Sequence, residues 1–475
     1  MPASKSLSAA PAGWRDELAA SARLAWPLVL SNLAGIAIST TDVLMLGRLG
    51  PDSLAASALA VNLFNLVMFT GTGLAVATAP LIAAALGRKV EAVRETRRSF
   101  RMGLWLVTAY SLIGWLVLGN TERLLLLAGQ DPVLSADAGR FMMIFMWALL
   151  PGLLLVVFRT LLTAFDRTPV TLLVALGGVA LNALLNWMLI FGNFGAPALG
   201  LEGSAIASLT THFIMTGLLG LAVWKMPRLR LMHLFGRWWR PDWPRLRQLA
   251  RIGTPIAATW AFEVGIFSAA IYLMGLIDTP SVAAHVIALQ IVSFTFMVPL
   301  GLAQAVTIRV GMAYGARDPR WVGLAGNVNF ALTMAFMTLS ATIIWIFPSK
   351  LAGLFLDPSL PGNAEVIALA AGFLAVAAIF QIADGAQVIG AAMLRGLQDT
   401  RVPMIYAGLG YWGIGFGSGV LLAFGAGWRG MGIWTGLALG LGVVAVLMLQ
   451  RWWRRTSLGL IPAALGVQRL PGHIE

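Results

Sequence analysis

Twelve stretches of roughly 20 mostly apolar residues run along this chain with few charges inside them, and no other feature limits its fold as strongly. They fall at 25–47, 56–80, 102–118, 138–158, 168–192 and 203–224, then at 252–274, 282–306, 324–347, 365–390, 402–424 and 430–450. A helix crosses the hydrocarbon of a bilayer in about that length. Strands of a membrane barrel would alternate inward and outward residues over about ten positions, and these runs do not alternate. The expectation is an all-α integral membrane protein with twelve transmembrane helices. Composition agrees: only 11% of the 475 residues are charged and 59% are hydrophobic, against about 25% charged in a soluble domain. A soluble enzyme and a disordered chain are excluded. Because Cys is absent, so are a disulfide scaffold, a thiolate metal site and a cysteine nucleophile. Residues 1–22 lack a strong apolar core and a cleavage site, so no removable signal peptide is expected.

The formal charge of +13 would suggest nucleic acid in a soluble protein. Here it has another origin. With the N-terminus in the cytoplasm, 28 of the 33 basic residues fall on the cytoplasmic side, and only Arg48, Arg123, Arg140, Lys350 and Arg429 fall opposite. That is the positive-inside pattern. It predicts a multi-pass protein of a bacterial-type inner (plasma) membrane with both termini cytoplasmic and no nucleic-acid partner. Arg237, Arg240, Arg245 and Arg247 are placed to meet anionic lipid.

The chain repeats itself with an offset of 228. Arg23 and Pro27 match Arg251 and Pro255, and Gly47 matches Gly275. Ser53-Leu-Ala-Ala matches Ser281-Val-Ala-Ala, Gly73-Leu-Ala matches Gly301-Leu-Ala, and Gly87 matches Gly315. A weaker echo pairs Asp166-Arg-Thr-Pro169 with Asp399-Thr-Arg-Val-Pro403. Two six-helix lobes in the same orientation make a parallel repeat about an axis along the membrane normal. The expected divisions are a tail at 1–22, an N-lobe at 23–224, a basic linker at 225–251, a C-lobe at 252–450 and a tail at 451–475. Such lobes are bodies that can rock about a central cavity.

Of the 20 acidic residues, eight fall in outward loops, Asp357 among them, and nine in cytoplasmic segments, Glu475 among them. The other three, Asp42, Glu263 and Asp384, lie inside apolar spans. An Asp at a helix centre costs about 2.5–3.5 kcal/mol to insert, so such acids usually face a cavity and bind a proton, an ion or a cationic solute. Plainer readings exist for each. Asp42 lies five residues before Gly47 and could be a helix-end residue, and Glu263 could make a structural hydrogen bond. Gln381 and Gln387, three residues either side of Asp384, could satisfy its oxygens. The repeat maps Asp42 onto Ala270 and Glu263 onto Gly35, so each half carries its own acid chemistry.

Asn182 and Asn186 share one face of the fifth span, as cavity lining or as helix–helix glue. Asn62, Asn65 and Gln290 could line the same interior. The four His are too scattered for a metal site. Trp260, Phe262, Phe267 and Trp412 lie near the acids and offer either cation–π contacts or plain packing. Pro27, Pro255 and Pro299 lie inside spans and can bend them. No Walker A, nucleophile-elbow or Rossmann glycine pattern occurs in a suitable context.

Several stretches resemble the multidrug and toxic compound extrusion (MATE) family. They are Thr41-Asp-Val-Leu-Met-Leu-Gly-Arg-Leu-Gly50, Phe262-Glu-Val-Gly-Ile-Phe267, Ala283-Ala-His-Val-Ile-Ala-Leu-Gln290, Met297-Val-Pro-Leu-Gly-Leu302, Thr307-Ile-Arg-Val-Gly311, Asp384-Gly-Ala-Gln387 and Leu394-Arg-Gly396. A Glu in the seventh span with an Asp in the tenth resembles its NorM-type branch. The resemblance implies a V-shaped pair of lobes that exchanges H+ or Na+ for organic cations and drugs, needs no other cofactor and works as a monomer. It also implies that Glu263 and Asp384 form the second-lobe cation site, where Na+ would bind if it is the coupling ion. Asp42 would be the first-lobe acid, with Asn182 and Asn186 as its polar pair. Ser208 stands where the family has Thr, a departure that leaves its role open.

Two other functions are compatible with a twelve-helix protein. A lipid-linked precursor flippase would want basic residues in its cavity, whereas the mid-span ionisable groups here are acids and Arg159, Arg309 and Arg395 sit at cytoplasmic ends. An integral membrane transferase would need a nucleophile or metal cluster at one interface, and none is evident.

Overall fold

A computed structural model describes residues 10–236, 238–356 and 362–461. Arg237, Asp357, Glu475 and the outer parts of both tails lie outside these residues. Twelve helices are long and apolar enough to cross a membrane: α1 (Trp14–Gly47), α2 (Pro51–Arg88), α3 (Ala92–Leu118), α4 (Pro132–Ala164), α5 (Thr168–Phe191), α6 (Gly200–Lys225), α7 (Trp243–Gly275), α8 (Thr279–Gly315), α9 (Pro319–Ile346), α10 (Asn363–Gly396), α11 (Arg401–Gly425) and α12 (Arg429–Trp453). No strand occurs among the described residues.

Most helices outrun the apolar cores read from sequence. α1 has 34 residues and α8 has 37, about 50 Å or more at 1.5 Å per residue, where about 30 Å of hydrocarbon would suffice. The extra turns project at the end of the bundle where α1 begins, called the basic end below. Residues assigned from sequence to tails and loops, such as Glu17, Arg88, Glu95, Arg98, Arg245 and Arg320, therefore sit on helix ends instead. Pro27, Pro255 and Pro299 all lie inside helices. Helix starts follow local chemistry: Asp278 and Asp318 accept hydrogen bonds from the first-turn amides of α8 and α9, each followed by Pro. Hydrogen bonds from Ser281 hold the Asp278 carboxyl below the usual carboxylate range.

Packing reproduces the sequence repeat. α1 crosses α8 as α7 crosses α2, α1 meets α9 as α7 meets α3, and α2 meets α8 at the centre. Each crossing equals the other after a shift of six helices, which is what a two-fold axis between the halves requires. The glycines mark it. A methyl on Gly73 would strike the Ala257 backbone, and one on Gly301 would strike Val29. One on Gly87 would strike the Met312 carbonyl, and one on Gly315 the Ala84 carbonyl. All these pairs are partners under the 228-residue offset. Without a hydrophobic force between helices in lipid, such close backbone approach supplies the packing.

At the basic end, ion pairs also join the halves. Glu17 of α1, fully buried, takes both arms of the buried Arg309 on α8. Ser21 donates to Glu17 (3.2 Å), Asn329 of α9 donates to Ser21 (2.8 Å), and Trp321 lies 5.2 Å under the Arg309 guanidinium. Across the axis, Arg98 and Glu95 of α3 hold Asp242 and Arg245 at the start of α7. The hydrogen bond from Arg98 keeps Asp242 below the normal carboxylate range. Arg245 was expected to face lipid from a linker. It is instead buried inside this cluster, because α7 begins at Trp243 and turns it toward α3.

Breaking a buried pair strands the surviving charge at a cost of about 3–5 kcal/mol. Glu17→Ala should therefore lower the melting temperature of the detergent-purified protein clearly. An unchanged melting curve would mean that the pair contributes no net stability.

Candidate cation sites

The first acid sits in a closed polar network. Asp42 lies in the last turns of α1, and α5 and α6 pack beside it. Asn186 donates to its Oδ1 (2.6 Å) and Ser208 of α6 donates to its Oδ2 (2.9 Å). Behind them Asn186 also donates to Asn182 Oδ1 (3.1 Å), and Asn182 donates to Ser208 Oγ (3.2 Å). His212 Nδ1 lies 2.8 Å from the Ser208 carbonyl oxygen. The four-residue spacings 182/186 and 208/212 place each pair on one helix face. Asn182 and Asn186 are fully buried, whereas Asp42 stays half-buried. Asp42, in the last turns of α1, is thus tied to both α5 and α6, and the two amides bridge helices. Ser208, whose role the sequence left open, is one of the two groups bonded directly to the carboxylate.

The second cluster belongs to the other half. Asp384 on α10 is 3% exposed, and its Oδ1 has no hydrogen-bond partner among the described residues. The flanking glutamines do not satisfy it, contrary to the plain reading of the sequence. Gln381 Oε1 accepts from Thr295 of α8 (2.8 Å), and Gln387 donates to the Tyr411 hydroxyl (2.5 Å). Residues three apart lie within about 60° of one another around a helix, but here each Gln turns its polar end to a neighbouring helix instead of back to the carboxylate. Glu263 on α7 lies close enough for its charge to act on Asp384, on Tyr411 and on Arg395. Tyr411 is fully buried and lies where α11 winds as a π-helix over Leu409–Phe416, a local form frequent at functional sites. Tyr411 and Thr295 escaped the sequence reading, which looked for acids and amides, and His212 was weighed there only as a metal ligand. A Tyr hydroxyl inside an apolar span was the available signal.

Other expected residues fall outside these clusters. Gln290 is half-buried and Asn62 and Asn65 are exposed on their helices. Of the aromatics, Phe262 packs on Gly408, Phe267 meets Phe380 edge to face at 6.1 Å, and Trp260 packs beside Ile256. Trp412 packs on Gly265 but stays 40% exposed, so it keeps free ring surface two residues along α7 from Glu263. His285 is buried inside α8 rather than at its end, against Trp434 at 5.5 Å.

The fold and these clusters define a two-part helical membrane protein with an acid set in each half. The MatE family model matches residues 27–188 and 255–421, two segments whose first residues are repeat partners. The chain belongs to the multidrug and toxic compound extrusion family. It is 49% identical over 453 residues to the "Probable multidrug resistance protein NorM" of Mesorhizobium japonicum, covering 95% of this chain and 97% of that one. With the protein of the same name from Brucella suis it shares 46% over 444 residues, covering 94% of each. Among solved structures it resembles the Vibrio cholerae MATE transporter VcmN (TM-score 0.85, 17% identity, 94% of this chain and 99% of that one). It also resembles the outward-facing conformation of a multidrug resistance MATE family transporter (TM-score 0.84, 19% identity, 96% and 97%). These distant likenesses establish the fold.

If a cation binds through the Asp42 network, Ser208 and Asn182 act on it as one chain of hydrogen bonds. Ser208→Ala and Asn182→Ala should then lose tetraphenylphosphonium affinity non-additively, with a coupling of about 0.5–3 kcal/mol in a double-mutant cycle. Strictly additive losses would separate the two residues.

Proposed function

We propose that this protein is a secondary active multidrug efflux transporter that exchanges H+ or Na+ for organic cations by alternating access. The observation that carries the site assignment is the buried Asp384 oxygen left without a partner, within the field of Glu263. Buried polar groups are almost always satisfied, and a buried acid that is not invites a proton or a cation. Relatives named as multidrug resistance proteins support the cargo class.

The chemistry is competition for negative charge. In a dry cavity a carboxylate favours its neutral form, and a nearby cation reverses that preference. A proton on Glu263 or Asp384, or Na+ held between them, therefore excludes a bulky cation, and the cation expels the ion. Glu263, Asp384 and Tyr411 form the second-lobe site, and Asp42 with Asn182, Asn186 and Ser208 the first. Trp412 offers a ring face to cargo, worth about 0.5–2 kcal/mol by cation–π attraction. Exchange becomes obligatory when ion and cargo favour opposite orientations, because a ligand shifts a conformational equilibrium only by differential affinity.

The moving bodies are the two lobes, helices α1 to α6 and α7 to α12, joined by the segment between Lys225 and Trp243, in a monomer of the inner membrane with both tails cytoplasmic. The basic end is then the cytoplasmic side, facing the anionic leaflet, with Arg240 and Arg247 available to lipid. The glycine contacts and ion pairs joining the lobes there fit a state closed toward the cytoplasm.

Glu263→Gln keeps size and hydrogen bonding but cannot ionise. It should abolish ion-gradient-driven transport of a cationic dye into proteoliposomes while the protein stays folded. Transport at the wild-type rate would refute the role of Glu263. Asp384→Asn should weaken tetraphenylphosphonium binding by about tenfold or more, since two charges near one cation are worth several kcal/mol at an effective dielectric of about 20. If the two acids share one cation, the double variant should be little worse than either single one, because residues acting as a unit are non-additive. Additive losses with an unmoved pH profile would mean two independent sites. Running the same assay with H+ and with Na+ gradients identifies the coupling ion.

A further inference from the structure

Between the halves lies a small cavity of about 30 Å³, lined by Val76, Ala79, Arg159, Gln304, Thr307 and Arg395 among others. Its position follows from the repeat. Val76 and Gln304 are partners under the 228-residue offset, as are Ala79 and Thr307. Arg159 and Arg395 each lie near the basic end of the fourth helix of their half, shortly before Asp166 and Asp399. A cavity lined by repeat partners from both halves sits astride the axis that relates them. Ala79 and Thr307 are each eight residues, about 12 Å, from Gly87 and Gly315, where the backbones close on one another. The cavity thus lies about 12 Å from the glycine contacts that close the axis.

Its chemistry is one-sided. Two guanidiniums and three threonine hydroxyls (Thr160, Thr163, Thr307) line it, and no carboxylate does among the described residues. The hydrogen bond from the Arg159 side chain goes to a neutral acceptor, Asn32 Oδ1 at 3.2 Å. Arg395 lies eleven residues, about 16 Å, from Asp384 toward the basic end of α10, and within the field of Glu263. A polar space of this size holds about two waters, since one needs roughly 10–15 Å³. Water on the axis beneath the coupling acids is a leak path for protons and small cations. Arginine stays charged wherever it is placed, and a fixed positive charge on a pore axis turns cations and protons back.

We propose that Arg159 and Arg395, one from each half, form an electrostatic barrier beneath the acid sites that prevents uncoupled passage of protons and Na+ along the axis. The proposal rests on ion-coupled exchange as the function and assigns these arginines the task of keeping that exchange tight. It also gives a reason for their pairing: when the halves part, the two charges separate and the barrier opens together with the seal.

The test is passive flux without cargo. The full chain is reconstituted in liposomes, a valinomycin–K+ potential is imposed, and proton or Na+ entry is followed with a trapped dye. Wild type should stay near protein-free vesicles. Arg159→Gln and Arg395→Gln, together and singly, should raise entry on the order of tenfold, while Arg→Lys at either position keeps it low. Gln304→Glu leaves both arginines in place but puts a carboxylate in the same cavity, and it should raise the leak as well. A folded double Gln variant that leaks no more than wild type would overturn the proposal. If that variant does not fold, a tight Gln304→Glu protein overturns it instead. Asp384→Asn separates the two ideas: loss of cargo exchange with a low leak upholds both. Undiminished exchange there would defeat the functional reading while the leak data still decide the barrier.

Discussion

Close backbone contact between the two halves is the constraint on which the rest of this structure depends. In lipid, apolar surface alone does not bring helices together, so association needs small residues and satisfied polar groups. Gly87 against the Met312 carbonyl, and Gly315 against that of Ala84, fix the depth at which the central helices α2 and α8 meet. Gly73 and Gly301 fix the outer crossings in the same way. The ion pairs that cross between the halves take their position from these crossings. The ion pairs at the basic end are close enough to form because the glycines let the helices approach.

The two halves share a backbone plan but not a chemistry. In the first, Asp42 is held by Asn186 and Ser208, with Asn182 behind them, so its charge is solvated by the protein itself. In the second, Asp384 is buried with one oxygen unpartnered, and Glu263 adds a second carboxylate rather than a donor. The first carboxylate has donors bound to it and the second has an open oxygen. Exchange of one ion against one cargo needs sites of unequal preference, and a duplicated bundle provides room for such divergence. Position 17 and its repeat partner 245 show the same freedom. Glu in one half and Arg in the other, both residues tie the lobes together through partners of opposite sign.

Much of this was legible beforehand. Twelve apolar runs gave twelve helices because lipid admits few other solutions for a spanning backbone. The three acids stood out because each is expensive in an apolar span. The amides Asn182 and Asn186 were legible from their four-residue spacing. Helix ends were not, since the projecting turns of α1 and α7 are amphipathic and escape a search for apolar runs. That is why Arg245 read as a lipid-facing linker residue. Whether Gln381 and Gln387 satisfy Asp384 was open, because proximity in sequence says nothing about which neighbouring helix a side chain turns toward. Tyr411 and Thr295 went unseen for the same reason, as their partners lie on another helix.

By itself the sequence determined the class of solvent, the number of helices, their repeat and the identity of the costly acids, because each is a property of composition or spacing along one chain. Tertiary structure alone decided which donors meet which acid, that Ser208 rather than Gln290 completes the first cluster, and that Arg159 and Arg395 share one cavity. Those facts depend on crossing positions between helices tens to hundreds of residues apart, and those crossings are set by backbone approach at a few glycines.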